Sequence, residues 1–280
     1  MEDMPLVQRV VQSYLAEVDE EVPGLVEGLY LTGSVALGDF RPHESDVDFV
    51  AVTARHPDER SLAGLAWAHA RLRERCPLPD FEGLYVTWED LTRSPAQRRL
   101  GPSAHSGRFW TAYCFALGPV TWHTLAQHGV ACRGPHLAGG GVWTEASELF
   151  TWSLHNLDSY WRRWHAQHAR LLSRGGLAAL GTWAPAWGVL GVSRLHYTIA
   201  TGEITSKEGA GLHALRTFPA QWHRVIQECL RIRRGEGGPS LYVHPFARRA
   251  AALAFMAVAM EHARRLHGAA TARHVGVSVP

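Results

Sequence analysis

The chain has 280 residues, 46% hydrophobic and 19% charged, with a formal net charge of +2. That length can bury a substantial core in one large domain or two small ones, and the balance excludes a disordered polyelectrolyte. The small net charge argues against nucleic acid or an acidic membrane as a partner.

Residues 5–21 carry Leu6, Val7, Val10, Val11, Tyr14, Leu15 and Val18 at helical spacing, and Pro23-Gly24 ends the helix this predicts. Glu27 to Thr32 is a short apolar run, predicted as a first strand; Gly33-Ser34 turns out of it and 35–37 begin a short helix. Residues 47–53, rich in β-branched and aromatic side chains, predict a second strand. An amphipathic helix over 58–75 ends at Cys76-Pro77-Leu78-Pro79, and Phe81 to Trp88 reads as a third strand.

From about residue 90 the character changes. Residues 91–108 are polar, with Pro95, Gly101, Pro102 and Gly107, and read as a loop or linker. Helical periodicity then predicts helices at 119–128, 144–172, 184–201, 207–216, 219–234 and 243–267. Gly134-Pro135, Gly139-Gly140-Gly141, Gly175-Gly176 and residues 235–239 separate them. The expected fold class is α+β, with a mixed β-sheet and flanking helices in a domain over 1–100 and an all-α domain over 101–280.

Cys76, Cys114, Cys132 and Cys229 lie far apart without a CxxC pair, as reduced and mostly buried thiols do. The acidic start has no basic run followed by an apolar one, which predicts no signal peptide and a cytoplasmic protein. Ala250 to Met260, the most apolar late stretch, is too short to span a bilayer.

The chemistry concentrates between Leu31 and Val50. Asp46 and Asp48 head the second strand two residues apart, so both carboxylates leave one face while Val47 points into the core. Two repelling carboxylates suit Mg²⁺, which takes one or two of them plus phosphate oxygens. The alternative is that they only cap a loop and a strand. Gly33 lets backbone N–H groups approach a phosphate and Ser34 adds a hydroxyl donor. Gly33, Ser34, Ser45, Asp46 and Asp48 fit one site. Among 28 basic residues 27 are arginine, and the single lysine is Lys207. A compact ammonium on a flexible stem suits a phosphate as a point charge.

At Gly33-Ser34 and Asp46-Val47-Asp48 the chain resembles the nucleotidyltransferase superfamily, whose signature is a GS turn followed by DxD on the next strand. Within it the resemblance is to the aminoglycoside adenylyltransferases that modify streptomycin and spectinomycin. Ser193-Arg194-Leu195-His196-Tyr197-Thr198-Ile199-Ala200-Thr201-Gly202-Glu203-Ile204-Thr205-Ser206-Lys207 is similar to that family's helix, thr-gly turn and following lysine, and Pro219-Ala220-Gln221-Trp222 is similar as well.

The resemblance implies a nucleotidyltransferase-type sheet and a helical domain that completes the nucleotide and acceptor sites. It implies ATP as co-substrate and two Mg²⁺ ions on Asp46, Asp48 and Glu82. It makes Glu82, in Phe81 to Thr87, the general base; Glu89 and Asp90 lie past the strand. Lys207, and Arg194 before it, would contact the phosphates. AMP would pass to a hydroxyl of a small molecule, an aminoglycoside-type antibiotic, with release of pyrophosphate. Trp110, Tyr160, Trp161 and Trp164 are the candidate aromatic faces for a cationic acceptor; the alternative for a Trp on an amphipathic helix is a place in the core.

The family has acidic residues before its Ser-Arg helix, whereas Arg162 to Val192 here contain no Asp or Glu; Asp158, Glu145 and Glu148 are the candidates to replace them. Two other readings stand beside this one: the same chemistry on a protein, RNA or another metabolite, and a non-catalytic nucleotide-binding regulator. The near-neutral charge argues against RNA. The intact Asp46, Asp48 and Glu82 argue against the regulator. A monomer or weak homodimer with a small-molecule partner, bound neither to nucleic acid nor to a membrane, is expected.

The 17 histidines include His165 and His168, three apart, and His262 and His267, five apart, without a Cys or HExxH context for zinc. GxxxxGK[ST] and GxGxxG are both absent, which excludes P-loop and Rossmann sites.

Overall fold

The structure, a computed structural model, describes residues 4–97, 100–112, 118–137 and 140–275, with side chains of the last helix as far as residue 266. The chain forms two compact units, Met1–Glu145 and Ala146–Pro280.

The first unit runs α1 (Met4–Glu21), β1 (Val26–Leu31), α2 (Gly33–Ala36), β2 (Val47–Thr53), α3 (Glu59–Arg75), β3 (Phe81–Thr87) and α4 (Trp88–Leu91). A 3₁₀ turn (Pro95–Gln97), β4 (Ser103–His105), β5 (Arg108–Trp110), α5 (Pro119–His128) and β6 (Val130–Arg133) complete it. The sheet order is β5-β4-β3-β2-β1-β6. Only β2 and β3 pair in parallel, joined through α3; the remaining neighbours are antiparallel. This is the expected mixed sheet.

Strand alternation sorts the sheet's side chains onto two faces. Leu29, Leu31, Val47, Phe49, Ala51, Phe81 and Tyr85 bury one face against Val7, Val10 and Tyr14 of α1 and Leu65, Ala68 and Leu72 of α3. Tyr30, Val50, Val52, Leu84 and Val86 bury the other against Trp122 and Leu125 of α5. Asp48 and Glu82 share the parity of the second set, so both leave the sheet on the α5 face at the heads of β2 and β3. Val47 is fully buried on the opposite face, as its position between two aspartates predicts. Beneath that face the Tyr85 hydroxyl bonds to Tyr14 Oη at 2.6 Å and to His69 Nε2 at 2.8 Å.

The second unit is helical throughout its described residues: α6 (Ala146–Asn156), a π turn (Leu157–Trp161), α7 (Arg162–Ala169), α8 (Arg174–Ala178) and α9 (Trp183–Thr201). It continues with α10 (Lys207–Thr217), a 3₁₀ turn (Ala220–Trp222), α11 (His223–Arg233) and α12 (Pro245–Val275). Helix α9 is apolar almost all round, the pattern of a helix buried on every side. It packs Val189, Leu190, Val192, Leu195 and Ile199 into one core with Val225, Ile226, Cys229 and Leu230 of α11 and Phe255, Met256 and Ala259 of α12.

Several boundaries differ from the sequence expectation. The predicted loop 91–108 includes β4 and the start of β5, and residues 130–133 add a further strand. These strands have three or four residues, too few for alternation to register. They extend the sheet at both edges, so residues 101–145 lie with the first unit rather than beginning the helical domain. The helix expected over 144–172 is divided by the π turn and ends at Ala169, and α8 forms across Gly175-Gly176, a predicted break. Cys76, Cys132 and Cys229 are free thiols; Cys114 lies outside the described residues. Among the described residues no helix is long and apolar enough to cross a membrane.

Candidate active site

Parallel pairing brings the heads of β2 and β3 to the same end of the sheet. The register sets Asp48 opposite Glu82, and Asp46 and Asp80 each stand two residues earlier, just ahead of β2 and β3. The Val47 N–H donates to the Asp80 carbonyl at 2.8 Å and ties the two heads together. Oxygens of Asp46, Asp80 and Glu82 all lie within 4.8 Å of one another, the group among the described residues that could hold a metal ion. Asp46 is exposed, Asp80 half-buried and Glu82 buried.

Asp48 stands deeper on the same face and leans against the turn into α2. A Cβ built on Gly33 would come 1.9 Å from Asp48 Oδ2 and 2.6 Å from its Cγ. Gly33 also has φ of +56°, where a side chain is strained. The Thr32 N–H donates to the Asp48 carbonyl at 2.9 Å and holds this turn beside β2. The adjacent Ser34 Oγ is buried and has no hydrogen-bond partner. Such a hydroxyl costs about 1–3 kcal/mol unless something bonds to it. Ser45 has a local job: its hydroxyl accepts the Arg41 N–H at 3.0 Å and closes the loop that delivers Asp46.

Both oxygens of Glu82 are engaged by the β4–β5 turn. His105 Nδ1 is 2.9 Å from Oε2, and the Ser106 N–H donates to Oε1 at 2.7 Å. Glu89 and Asp90 are occupied elsewhere: Glu89 pairs with Arg93, and Asp90 Oδ2 accepts the Thr87 N–H at 2.8 Å in a capping box. Sequence reasoning missed Asp80 and His105. The signal for Asp80 was present, since Asp80-Phe81-Glu82 repeats the spacing of Asp46-Val47-Asp48. His105 had none, because its strand was not predicted.

In the second unit α9 ends at Thr201-Gly202, with Gly202 in the left-handed conformation, and Ser206 caps α10 by accepting the Gly209 N–H at 3.1 Å. Lys207 is the first residue of α10, and its Nζ lies 4.6 Å from the Trp187 ring centroid. Arg194 is half-buried on α9.

Of the candidate acceptor aromatics, Trp161 and Trp164 are core residues, 6% and 9% exposed. A Cβ on Gly191 would come 2.2 Å from the Trp161 ring. Trp110, at the end of β5, and Tyr160 are 41% and 46% exposed. Asp158 is paired with Arg162 at 3.0 Å and Arg264 at 2.6 Å. His165 and His168 bond to the carbonyls of Leu253 and Trp164, and His262 to His196; the side chain of His267 lies outside the described residues.

Residues 11–98 match the family described as Nucleotidyltransferase domain, and residues 173–261 match Aminoglycoside adenylyltransferase, C-terminal domain. The chain is similar in fold to spectinomycin adenyltransferase AAD(9) from Enterococcus faecialis, whose crystal structure contains ATP and spectinomycin. The TM-score is 0.62 at 12% identity, over 91% of this chain and 99% of that one. No curated protein matches significantly. With the two domains in this order, and with the GS turn and acidic strand heads inside the first, the chain belongs to the nucleotidyltransferases of the aminoglycoside adenylyltransferase kind and is an enzyme of nucleotidyltransferase type.

Proposed function

We propose that the protein transfers AMP from ATP to a hydroxyl of an aminoglycoside-type antibiotic and releases pyrophosphate. The observation that carries this reading is the cluster of Asp46, Asp80 and Glu82, with Asp48 behind it, beside the Gly33-Ser34 turn. The donors are all carboxylate oxygens, which suit a hard divalent cation such as Mg²⁺ rather than zinc. The orphan Ser34 hydroxyl offers a donor for a phosphate group beside the cluster.

Asp46, Asp48, Asp80 and Glu82 are the residues that would hold metal. When bound, a pair of divalent ions supplies charge stabilisation at the α-phosphate and on the departing pyrophosphate. The chain's own groups do the rest. One lone pair of Glu82 takes the proton of the acceptor hydroxyl while two others stay bonded to the β4–β5 turn. The acceptor oxygen bonds to the α-phosphorus as the bond to the bridging oxygen of pyrophosphate breaks. Ser34 Oγ donates to a phosphate oxygen. Lys207 and Arg194 are proposed to neutralise the triphosphate. The sole lysine sits at the N-terminus of α10, over the Trp187 ring. Action in the cytoplasm, where ATP is supplied, accords with this reading.

Within the antibiotic class, the acid-free stretch 162–192 and the pairing of Asp158 with two arginines favour an acceptor with fewer positive charges than streptomycin. Exposed Trp110 and Tyr160 are its candidate contacts. The test is pyrophosphate release with ATP and Mg²⁺ against a panel of aminoglycosides graded by charge, spectinomycin included. Turnover that rises as acceptor charge falls is expected. Release with none of them removes the antibiotic and leaves the transferase.

A further inference from the structure

We propose that the β4–β5 turn, His105-Ser106-Gly107, is a positioning device for Glu82, and that His105 is its orienting residue. The proposal rests on the reading above, in which Glu82 holds metal and accepts a proton. Its basis is geometric. A carboxylate that must do both needs a fixed plane, and Glu82 has each oxygen taken by a different member of one rigid turn: Oε2 by His105 Nδ1 at 2.9 Å and Oε1 by the Ser106 N–H at 2.7 Å.

The turn is itself held. Ser106 and Gly107 have φ of +51° and +64°, the left-handed pair of a two-residue hairpin, with His105 and Arg108 as the closing pair. Ser106 accepts this conformation although it is not glycine, a departure that places its N–H on the carboxylate. Arg73 of α3 donates from Nη1 to the Gly107 carbonyl at 2.6 Å. A Cβ on Gly107 would come 2.2 Å from the same Nη1, so only glycine lets the arginine seat there. The imidazole is also oriented. An ionised carboxylate only accepts, so the proton on the bonded nitrogen belongs to His105 Nδ1. Nε2 then faces Ser106 Oγ at 3.2 Å, with the hydroxyl able to donate to it. Arg73, Gly107, Ser106 and His105 thus form a chain from α3 to the one buried carboxylate of the cluster.

Removing the orienting partner of a metal-binding carboxylate or imidazole costs about 10–100-fold in metal affinity or activity. The experiment is a Mn²⁺ titration followed by electron paramagnetic resonance, on the full chain without acceptor, with kcat and KM for ATP measured on whichever acceptor turns over. His105→Ala is expected to weaken Mn²⁺ binding and lower kcat at least tenfold, with KM for ATP within about threefold of wild type. His105→Asn places an amide nitrogen where Nδ1 was, and is expected to return both to within about threefold of wild type. His105→Leu keeps bulk without the donor and replaces the alanine variant if that one does not fold. Ser106→Ala retains the backbone N–H to Oε1 and removes only the hydroxyl that faces Nε2, and is expected to fall between wild type and His105→Ala.

Wild-type Mn²⁺ affinity and kcat in His105→Ala overturn the proposal. So does equal impairment of the alanine and asparagine variants, the signature of a merely structural histidine. Glu82→Gln, run in parallel, separates the two levels. If it binds Mn²⁺ and turns over normally, the assignment of Glu82 falls and the proposal falls with it. If it is impaired while His105→Ala is not, only the proposal falls.

Discussion

Gly33 and Asp48 share one space. The carboxylate of Asp48 lies against the α-carbon of Gly33 so closely that an added methyl would stand 1.9 Å from Oδ2. Gly33→Ala must therefore push Asp48 off its position, and it adds a residue at φ of +56°, a strain of about 1–2 kcal/mol. The variant is expected to fold with a melting point lowered by a few degrees and to bind Mn²⁺ at least tenfold more weakly. Normal Mn²⁺ binding in a folded Gly33→Ala protein would show that Asp48 takes no part in holding metal.

The carboxylates divide into two sets that substitution separates. Asp48→Asn is expected to abolish pyrophosphate release while circular dichroism shows the fold intact; near-normal turnover would sink the proposed chemistry. Asp80→Asn tests the part of the cluster that the DxD pattern does not contain. Asp80 contacts β2 through its backbone carbonyl, so the amide preserves that bond and removes only the charge. Weakened Mn²⁺ binding is expected, by more than the 10–100-fold that losing an orienting partner costs. Unchanged binding would return the site to Asp46, Asp48 and Glu82.

What the sequence discloses follows from how local each signal is. The α1, β2, α3 and β3 spans are legible because seven or more residues repeat one period, and alternation along β2 turns Asp48 away from the face that buries Val47. Glu82 is legible only through the resemblance, and Asp80 only through the spacing it shares with Asp46 and Asp48. The pairing that sets Asp48 opposite Glu82 joins residues 34 apart in the chain, and no local pattern encodes it. The β4–β5 hairpin was invisible for a different reason: Ser103–His105 and Arg108–Trp110 are strands by virtue of pairing with β3, and their composition reads as loop. In the helical half, the periodicity that located Trp161 and Trp164 on a helix did not say which way they face, and both turn into the core.

Acid should destabilise each unit through buried histidine. Burial holds His69 down to about 3; burial, with lesser contributions from His262 and His213, holds His196 down to about 4. Their unfolded values are about 6.5, so below that pH the unfolded chain binds protons that the folded one does not. Stability is expected to be level just above pH 7 and to fall as pH drops from 6.5 toward 4 for His196 and toward 3 for His69, at no more than about 1.4 kcal/mol per unit for each. Burial would raise the Glu228 carboxyl, but the Arg231 guanidinium, the Ser240 hydroxyl and the Leu241 N–H outweigh it and bring it to about 2. Its contribution is full above about pH 4.5 and is lost as pH falls from there toward 2. Urea midpoints against pH should thus begin to fall near 6.5 and steepen below 4.5. His69→Gln leaves the Tyr85 hydroxyl an amide partner without a titrating ring, and should flatten the first limb; an unaltered slope would mean that His69 is not held neutral.

Lys207 offers a case in which stability and activity respond differently. Its ammonium stands at the N-terminus of α10, where the helix dipole opposes it by about 0.3–1 kcal/mol, and over Trp187, whose face attracts it by a similar amount. The two effects nearly cancel, so Lys207→Met is expected to change unfolding stability by less than about 1 kcal/mol. If the ammonium meets the triphosphate as a compact point charge, the same variant should raise KM for ATP at least tenfold. Lys207→Arg keeps the charge and the aromatic contact but spreads the positive charge over a planar fork, and should recover only part of the loss. A methionine variant with wild-type KM would reduce Lys207 to a surface charge that happens to be the chain's only lysine. Full activity in the arginine variant would show that charge alone is required and leave the retention of lysine, among 27 arginines, without a catalytic reason.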